Sequence, residues 1–234
     1  MNTVKRGVYV VKSRDVDFRD RIKVSSIVDV FEDLVAENSA DLKIDLDSVN
    51  EYGLKWVITK IRAVVNKDIK SRDELKIATW PKKPSAVKFL RSFTADGKNG
   101  ERIIDISSVW CVLSRKTDKI MPSASVIMPT GAVFSEEEVS VSAAPRALTA
   151  LDGSLAFRHI FNYGDIDANG HVNNVSYIRL AENSLTTGEY CGRRLAAFET
   201  DFLRQSYEGD EAHVFRRLDG NVVFVSVVVK DEEV

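Results

Sequence analysis

Apolar and polar residues follow two different periods along the chain, and each period predicts a type of element. Residues 25–35 place apolar side chains on one stripe with acidic residues outside it, which predicts a helix packed on a sheet and capped by Ser25 or Ser26. Alternating segments predict strands at 7–12, 53–65, 74–80, 87–94 and 102–114. One helix followed by several antiparallel strands is an α+β arrangement in which the sheet wraps around the helix.

The second part of the chain repeats this order of elements. An offset of 150 residues superimposes Asp15-Val16-Asp17 on Asp165-Ile166-Asp167, and Glu32 on Glu182. A strand is predicted before the second loop, an amphipathic helix after it, and then further strands, at 155–160, 198–203, 213–218 and 222–229. The sequence therefore predicts a duplicated strand–helix–sheet unit, which forms a pseudo-dimer within one chain.

The loop before the second helix, residues 165–174, concentrates candidate chemistry. It holds two carboxylates, three carboxamides and one of the three histidines of the chain. Helix starts carry unpaired N–H groups and the positive end of the helix dipole, which stabilise a carbonyl or oxyanion. We therefore expect the side chains of Asp167, Asn169 and His171 to hold a water and direct it at such a carbonyl.

The repeat limits this chemistry to one of the two copies. Arg19 and Arg21 stand in the first copy where Asn169 and His171 stand in the second. The amide and the imidazole are therefore absent from the first copy. We expect one chemical site per chain, with the first copy shaping a substrate pocket.

Two other interpretations of the polar loop stay open. Asp165-x-Asp167-x-Asn169-Gly170 resembles the start of an EF-hand calcium loop, but Ser176 stands where that loop requires a glutamate. The second interpretation is an Asx-rich turn that only caps the helix and performs no chemistry.

Composition narrows the classes of function. The chain has 234 residues, 44% hydrophobic and 29% charged, as expected for a packed globular fold. Its net charge of −2 argues against nucleic acid as a partner, although clusters such as Arg193-Arg194 and Arg216-Arg217 are candidates to meet an acidic protein. No membrane span or signal peptide is evident, and Cys111 and Cys191 indicate neither a disulfide framework nor a zinc site. We expect a cytoplasmic protein that needs no metal and no cofactor.

The polar loop and the helix after it resemble the acyl-acyl carrier protein thioesterases, the double hot-dog enzymes of fatty acid synthesis. The matching motif is Asp167-x-Asn169-x-His171-Val-Asn-Asn-Val-x-Tyr-Ile, and the first half adds Trp56-Val57, Thr79-Trp80, Arg91-Ser-Phe93 and Trp110. The resemblance implies two tandem hot-dog units, each an antiparallel sheet around a central helix. The predicted division is an N-terminal unit with the acyl pocket at 1–125, a connecting segment at 126–152 and a catalytic C-terminal unit at 153–234.

The resemblance also implies an activity and site residues. The activity is hydrolysis of fatty acyl thioesters on an acidic carrier protein. The pseudo-dimer has already made its internal pairing, so both a monomer and a further homodimer stay open. Asp167, Asn169 and His171 match the family's Asp-x-Asn-x-His, and Gln205 and Ser206 align with the family's later Glu-Cys pair. Because glutamine cannot act as a base but can hold a water, Asp167 is expected to be the base or nucleophile. His171 is expected to orient a neighbour or protonate the leaving thiolate. The residues expected to position substrate are Asn173, Asn174, Val175 and Ser206.

Three other functions fit the same residues. An acyl-CoA thioesterase would use the same chemistry on a different carrier. A non-catalytic acyl-binding protein would explain why Gln205 replaces a glutamate. A dehydratase acting on 3-hydroxyacyl thioesters fits the polar loop less well than a hydrolase does.

Overall fold

A computed structural model describes residues 2–141, 153–230 and 232–234. The chain forms two units, which we describe separately. The first comprises Met1–Ala144 with Leu195–Asp201, and the second comprises Pro145–Arg194 with Phe202–Val234. Each unit contains an antiparallel sheet and a helix that packs on it, as predicted for an α+β fold with two tandem hot-dog units.

The described residues form α-helices and β-strands in two series, each with its helices before most of its strands. The helices are α1 (Val24–Asp41), α2 (Leu46–Asn50), α3 (Asn174–Asn183) and α4 (Thr187–Tyr190). The strands are β1 (Lys5–Val10), β2 (Leu54–Val65), β3 (Glu74–Pro81), β4 (Phe89–Asp96), β5 (Arg102–Ser114), β6 (Ile120–Met121), β7 (Ser154–Ile160), β8 (Ala197–Asp201), β9 (Glu211–Asp219), β10 (Val222–Val229) and β11 (Glu232–Glu233). Within the described ranges, no helix combines the length and the apolar character that crossing a bilayer requires.

The first unit is built on a sheet with the strand order β1-β3-β4-β5-β2-β8, and β6 pairs with β5. The apolar stripe of α1 is buried, and its Phe31 meets Phe93 of β4 edge to face, with ring centroids 5.8 Å apart. The strands predicted for the first half are all present, and β5 has the predicted bounds. The helical and strand periods of the sequence therefore identify this core.

The start of α1 differs from the prediction. The helix begins at Val24, and the preceding Lys23 makes no capping hydrogen bond with its side chain. Ser25 and Ser26 are buried inside the first turn, so the prediction of a serine cap was wrong. The backbone N–H of Lys23 donates to the carbonyl of Asp15 at 2.9 Å, so the preceding loop sets the direction of the helix instead.

Strand β8 follows helix α4 in the sequence but joins the first sheet beside β2. The ammonium of Lys60 on β2 pairs with Glu199 at 3.2 Å and with Asp201 at 2.7 Å, and all three side chains are mostly buried. Burial alone would lower the pKa of Lys60, but the two carboxylates more than offset it and raise that pKa. This ion cluster fixes Asp201, the residue directly before the segment 202–206.

The described part of the predicted connecting segment packs on the first unit. The hydroxyl of Thr3 donates to the carbonyl of Val133 at 3.0 Å, and the indole N–H of Trp80 donates to the carbonyl of Glu137 at 3.3 Å. Residues 142–152 lie outside the described ranges. The predicted boundaries at 125 and 152 therefore stay predictions.

The second unit has a four-stranded antiparallel sheet in the order β11-β10-β9-β7. Helix α3 places Tyr177 and Leu180 in its core. The strand residues and loop residues that complete this core are Phe161, Val172, Ala212, Val214, Val227 and Val229. The polar loop lies at the start of α3, so the packing of the helix fixes the position of the candidate site.

Candidate active site

The predicted loop folds as a tight turn held by Asp167. Its Oδ1 accepts hydrogen bonds from the backbone N–H groups of Asn169 at 2.8 Å and His171 at 3.3 Å, and its Oδ2 accepts from Asn169 Nδ2 at 3.2 Å. The backbone N–H of Gly170 donates to the Asp167 carbonyl at 3.0 Å. Gly170 has φ +77°, a conformation that glycine adopts without strain. The turn brings Asp167, Asn169 and His171 together, as the sequence predicts.

The first copy makes the same turn with different side chains. Asp17 accepts from the backbone N–H groups of Arg19 at 2.8 Å and Arg21 at 3.2 Å. The guanidinium of Arg19 closes on Asp17 Oδ2, with Nε at 2.9 Å and Nη2 at 2.6 Å. The same backbone hydrogen bonds therefore recur at the offset of 150 residues. An aspartate here is sufficient to hold the turn without any chemistry.

Asn169 distinguishes the second copy from the first. Because its Nδ2 donates to Asp167, its Oδ1 must face away from that carboxylate. This oxygen is buried and accepts no hydrogen bond from the part of the protein that the structure describes. Arg19, at the same place in the first copy, carries no acceptor atom. The second copy alone therefore presents a buried acceptor, which a water molecule can satisfy.

The imidazole of His171 packs against Tyr207, a residue that the sequence does not single out. The two ring centroids are 5.2 Å apart at an interplanar angle of 63°. The backbone N–H of Tyr207 donates to Asp210 Oδ2 at 3.1 Å, and Lys230 Nζ lies 2.7 Å from Asp210 Oδ1. The hydrogen bond from Lys230 holds the pKa of Asp210 below its usual range. A charged pair therefore secures the residue that supports His171.

The segment 202–206 contacts the loop through a backbone hydrogen bond. The N–H of Val172, directly after His171, donates to the carbonyl of Ser206 at 2.9 Å. Ser206 is buried and Gln205 is half-buried. The structure therefore brings the predicted residues Gln205 and Ser206 next to the predicted loop.

Asn173 caps helix α3, which narrows what the helix start can bind. Its Oδ1 accepts from the N–H of Val175 at 2.8 Å, and its carbonyl accepts from the N–H of Ser176 at 2.9 Å. These two amides are therefore engaged and would have to leave Asn173 to bind an oxyanion. Val175 is buried and Asn174 half-buried. Substrate positioning by these residues stays a prediction.

Asp165, at the start of the loop, belongs to the frame of the turn. Its Oδ2 lies 2.9 Å from His159 Nε2 and accepts from the N–H of Asn162 at 3.1 Å. Burial alone would raise the pKa of Asp165, but these hydrogen bonds more than offset it and lower that pKa. In the first copy the hydroxyl of Tyr9 donates to Asp15 at 2.7 Å. The offset of 150 residues relates His159 and Asp165 to Tyr9 and Asp15. This offset is the sequence signal that identifies the two pairs.

Two tandem hot-dog units, with the polar turn chemistry in one of them, define the class of double hot-dog proteins. The family model described as acyl-ACP thioesterase N-terminal domain matches residues 2–127, and that described as acyl-ACP thioesterase C-terminal domain matches residues 154–220. The chain belongs to the acyl-ACP thioesterase family.

Known proteins with similar sequences and structures agree with this membership. The chloroplastic acyl-acyl-carrier-protein hydrolase FATB3 of Cuphea viscosissima is 21% identical over 211 residues, which are 86% of this chain and 51% of that protein. The crystal structure of an acyl-ACP thioesterase from Bacteroides thetaiotaomicron has a TM-score of 0.88 at 21% identity and covers 99% of this chain and 95% of that chain. The 12:0-ACP thioesterase from Umbellularia californica has a TM-score of 0.85 at 14% identity, covering 99% and 94%. These structures show the same fold, and the chain spans about half the length of the Cuphea protein.

Proposed function

We propose that the protein hydrolyses fatty acyl thioesters of acyl carrier protein to a free fatty acid and the carrier thiol. Family membership supports this reaction class. The observation that carries the proposal is the buried Oδ1 of Asn169, which the second copy presents on a turn that the first copy builds without it. Such an acceptor fits the binding of a hydrolytic water.

The proposed first step is attack of water on the thioester carbonyl. The water donates one hydrogen to Asn169 Oδ1, and this bond orients a lone pair of the water oxygen towards the carbonyl carbon. Asp167 fixes the amide of Asn169. It also takes a proton from the water as the water oxygen bonds to the carbonyl carbon. The amide group of Gln205, on the adjoining segment, holds the water or the carbonyl by hydrogen bonds but takes no proton.

The proposed second step is collapse of the tetrahedral intermediate. The carbon–sulfur bond breaks, and the sulfur leaves with the electron pair of that bond. His171 donates a proton to the thiolate and is held in place by the ring of Tyr207. The proton that Asp167 took from water passes to His171, which restores both side chains and leaves a fatty acid and a thiol as products.

Thiol release from a panel of acyl carrier protein and acyl-CoA substrates of increasing chain length tests the proposal. We expect release from carrier-linked substrates and its loss in His171→Ala. Arg21→Ala is the matched control, because Arg21 holds the corresponding position in the first copy. Preferential release from CoA substrates would assign an acyl-CoA thioesterase instead. Bound acyl chains without release from any substrate would assign a non-catalytic acyl-binding protein.

The partner and the setting of the protein are proposals of the same kind. The names of the related plant proteins specify acyl carrier protein and the chloroplast. For this chain we propose acyl carrier protein as the partner, a cytoplasmic location and a monomeric or homodimeric state. The two free cysteines, Cys111 and Cys191, support a reducing compartment.

A further inference from the structure

Two buried hydroxyl groups of the second unit lie side by side behind the polar loop. Tyr177 on α3 is 8% exposed, and Ser206 on the adjoining segment is 1% exposed. Neither Tyr177 Oη nor Ser206 Oγ forms a hydrogen bond of regular geometry with any residue in the described ranges. Burial raises the pKa of Tyr177, and the side chain and backbone of Ser206, which approach its hydroxyl, oppose that rise. Since buried hydroxyls in proteins are nearly always hydrogen-bonded, this pair requires a partner.

The first copy shows that the fold does not need hydroxyls at these places. In the first copy the N–H of Ile22 donates to the carbonyl of Ile69 at 2.9 Å. In the second copy the N–H of Val172 donates to the carbonyl of Ser206 at 2.9 Å. The offset of 150 residues places Ile27 opposite Tyr177. Ile27 and Ile69 are 1% and 0% exposed. The same frame is therefore closed by two apolar side chains in one copy and by two hydroxyls in the copy with the candidate chemistry.

Aromatic packing holds the tyrosine hydroxyl where it is. The ring of Tyr177 meets Phe161 edge to face at 5.5 Å and packs on Phe202 at 6.3 Å. The side chain cannot turn its hydroxyl towards solvent without leaving this core. The hydroxyl therefore stays beside Ser206, and a ligand that binds it must lie within the buried part of this unit.

We propose that Tyr177 and Ser206 bind one water molecule between their hydroxyls, and that both are positioning residues for Gln205. Water fits because each hydroxyl both donates and accepts, and a bridging water can complete both. The segment 202–206 then has two anchors at Ser206: the hydrogen bond to the loop through its carbonyl, and the water through its Oγ. Gln205 precedes Ser206 directly, so the second anchor fixes the direction of its side chain. The role assigned to Gln205 rests on the proposed function.

Removing each hydroxyl alone and both together tests the positioning role. We expect Tyr177→Phe and Ser206→Ala each to lower kcat by about tenfold to a hundredfold with KM unchanged, because the substrate still binds while Gln205 is misplaced. The double variant should lose no more kcat than the single variant with the larger loss, because both hydroxyls act through one water. Tyr190→Phe is the control: it removes a hydroxyl of the same unit that donates to Glu182 at 3.0 Å, and kcat should not change. Additive losses, or a rise in KM alone, would overturn the positioning role.

A crystal structure of the wild-type protein tests the water independently of activity. We expect a water oxygen within hydrogen-bonding distance of both Tyr177 Oη and Ser206 Oγ, and its absence in the double variant. A direct bond between the two hydroxyls, or a protein partner for either, would refute the water site. If the wild-type protein releases thiol from no substrate, the proposed function fails, whereas the electron density still decides whether the water is there.

Discussion

Replacing the loop aspartate in each copy separates its role in the turn from its role in chemistry. Asp167→Asn keeps one oxygen, which can still accept from the backbone N–H groups of Asn169 and His171. The new amide nitrogen, however, faces Asn169 Nδ2, so the third hydrogen bond is lost unless Asn169 turns over. Loss of one charge-assisted bond, and weakening of two others, predicts a loss of about 2 kcal/mol of folding free energy.

The same substitution in the first copy is the matched control. Asp17→Asn weakens the equivalent turn, because Asp17 accepts from two backbone N–H groups and from the guanidinium of Arg19. We expect a loss of at least about 2 kcal/mol from this variant, since Asp17 accepts the same two backbone bonds as Asp167 and two further bonds from a charged guanidinium. Urea unfolding of both variants measures these losses.

Turnover should separate the two variants. Asp167→Asn removes the proposed base and turns the acceptor of Asn169 away from the water, which predicts a loss of kcat of about a hundredfold or more. Asp17→Asn should leave kcat close to that of the wild type. Thiol release from an acyl carrier protein substrate measures both. Equal losses in the two variants, or near-native turnover of Asp167→Asn, would refute the chemical role of Asp167.

Three further predictions follow from named contacts. Gln205→Glu supplies a carboxylate beside the loop, and we expect a higher kcat in thiol release; an unchanged or lower kcat would show that no base is missing there. Lys60→Met leaves Glu199 and Asp201 without their buried cation and should cost about 3 kcal/mol in urea unfolding, whereas a loss below about 1 kcal/mol would contradict that pairing. The pKa values of Asp165 and Asp210 are lowered and that of Glu189 is lowered to about 2, so their stabilisation is present above about pH 4 and is lost as pH falls through the lowered values. Tm measured from pH 7 to pH 2 should therefore fall below about pH 4, and a Tm that holds or rises there would contradict these assignments.

Local patterns predicted much of the fold and the site because both are encoded over short stretches. Strand β10 has the predicted bounds, Val222–Val229, because its run of β-branched and aromatic residues is long and bordered by turns. The turn at Asp167 follows from residues within four positions of one another. The repeat at 150 residues then indicated which copy carries the amide and the imidazole.

Features that depend on distant residues were not predicted. The segment at 198–203 was expected as a strand, but its partner β2 in the first sheet is more than a hundred residues earlier in the sequence. Tyr207 supports His171 only because the turn closed by Asp210 folds its ring back onto the loop. The correspondence between Ser206 and Ile69 appears in the backbone hydrogen bonds and not in the offset of 150 residues. Periodicity does not encode such pairings.

The most direct test of the proposed chemistry is thiol release from acyl carrier protein substrates by Asn169→Arg, with thermal unfolding measured in parallel. This variant gives the second loop the residue that the first loop has, so its guanidinium should close on Asp167 as that of Arg19 closes on Asp17. We predict a folded protein with wild-type Tm whose kcat falls by about a hundredfold or more, because the acceptor for the water is gone. A folded variant that retains wild-type turnover would contradict the claim that Asn169 makes the second copy the catalytic one.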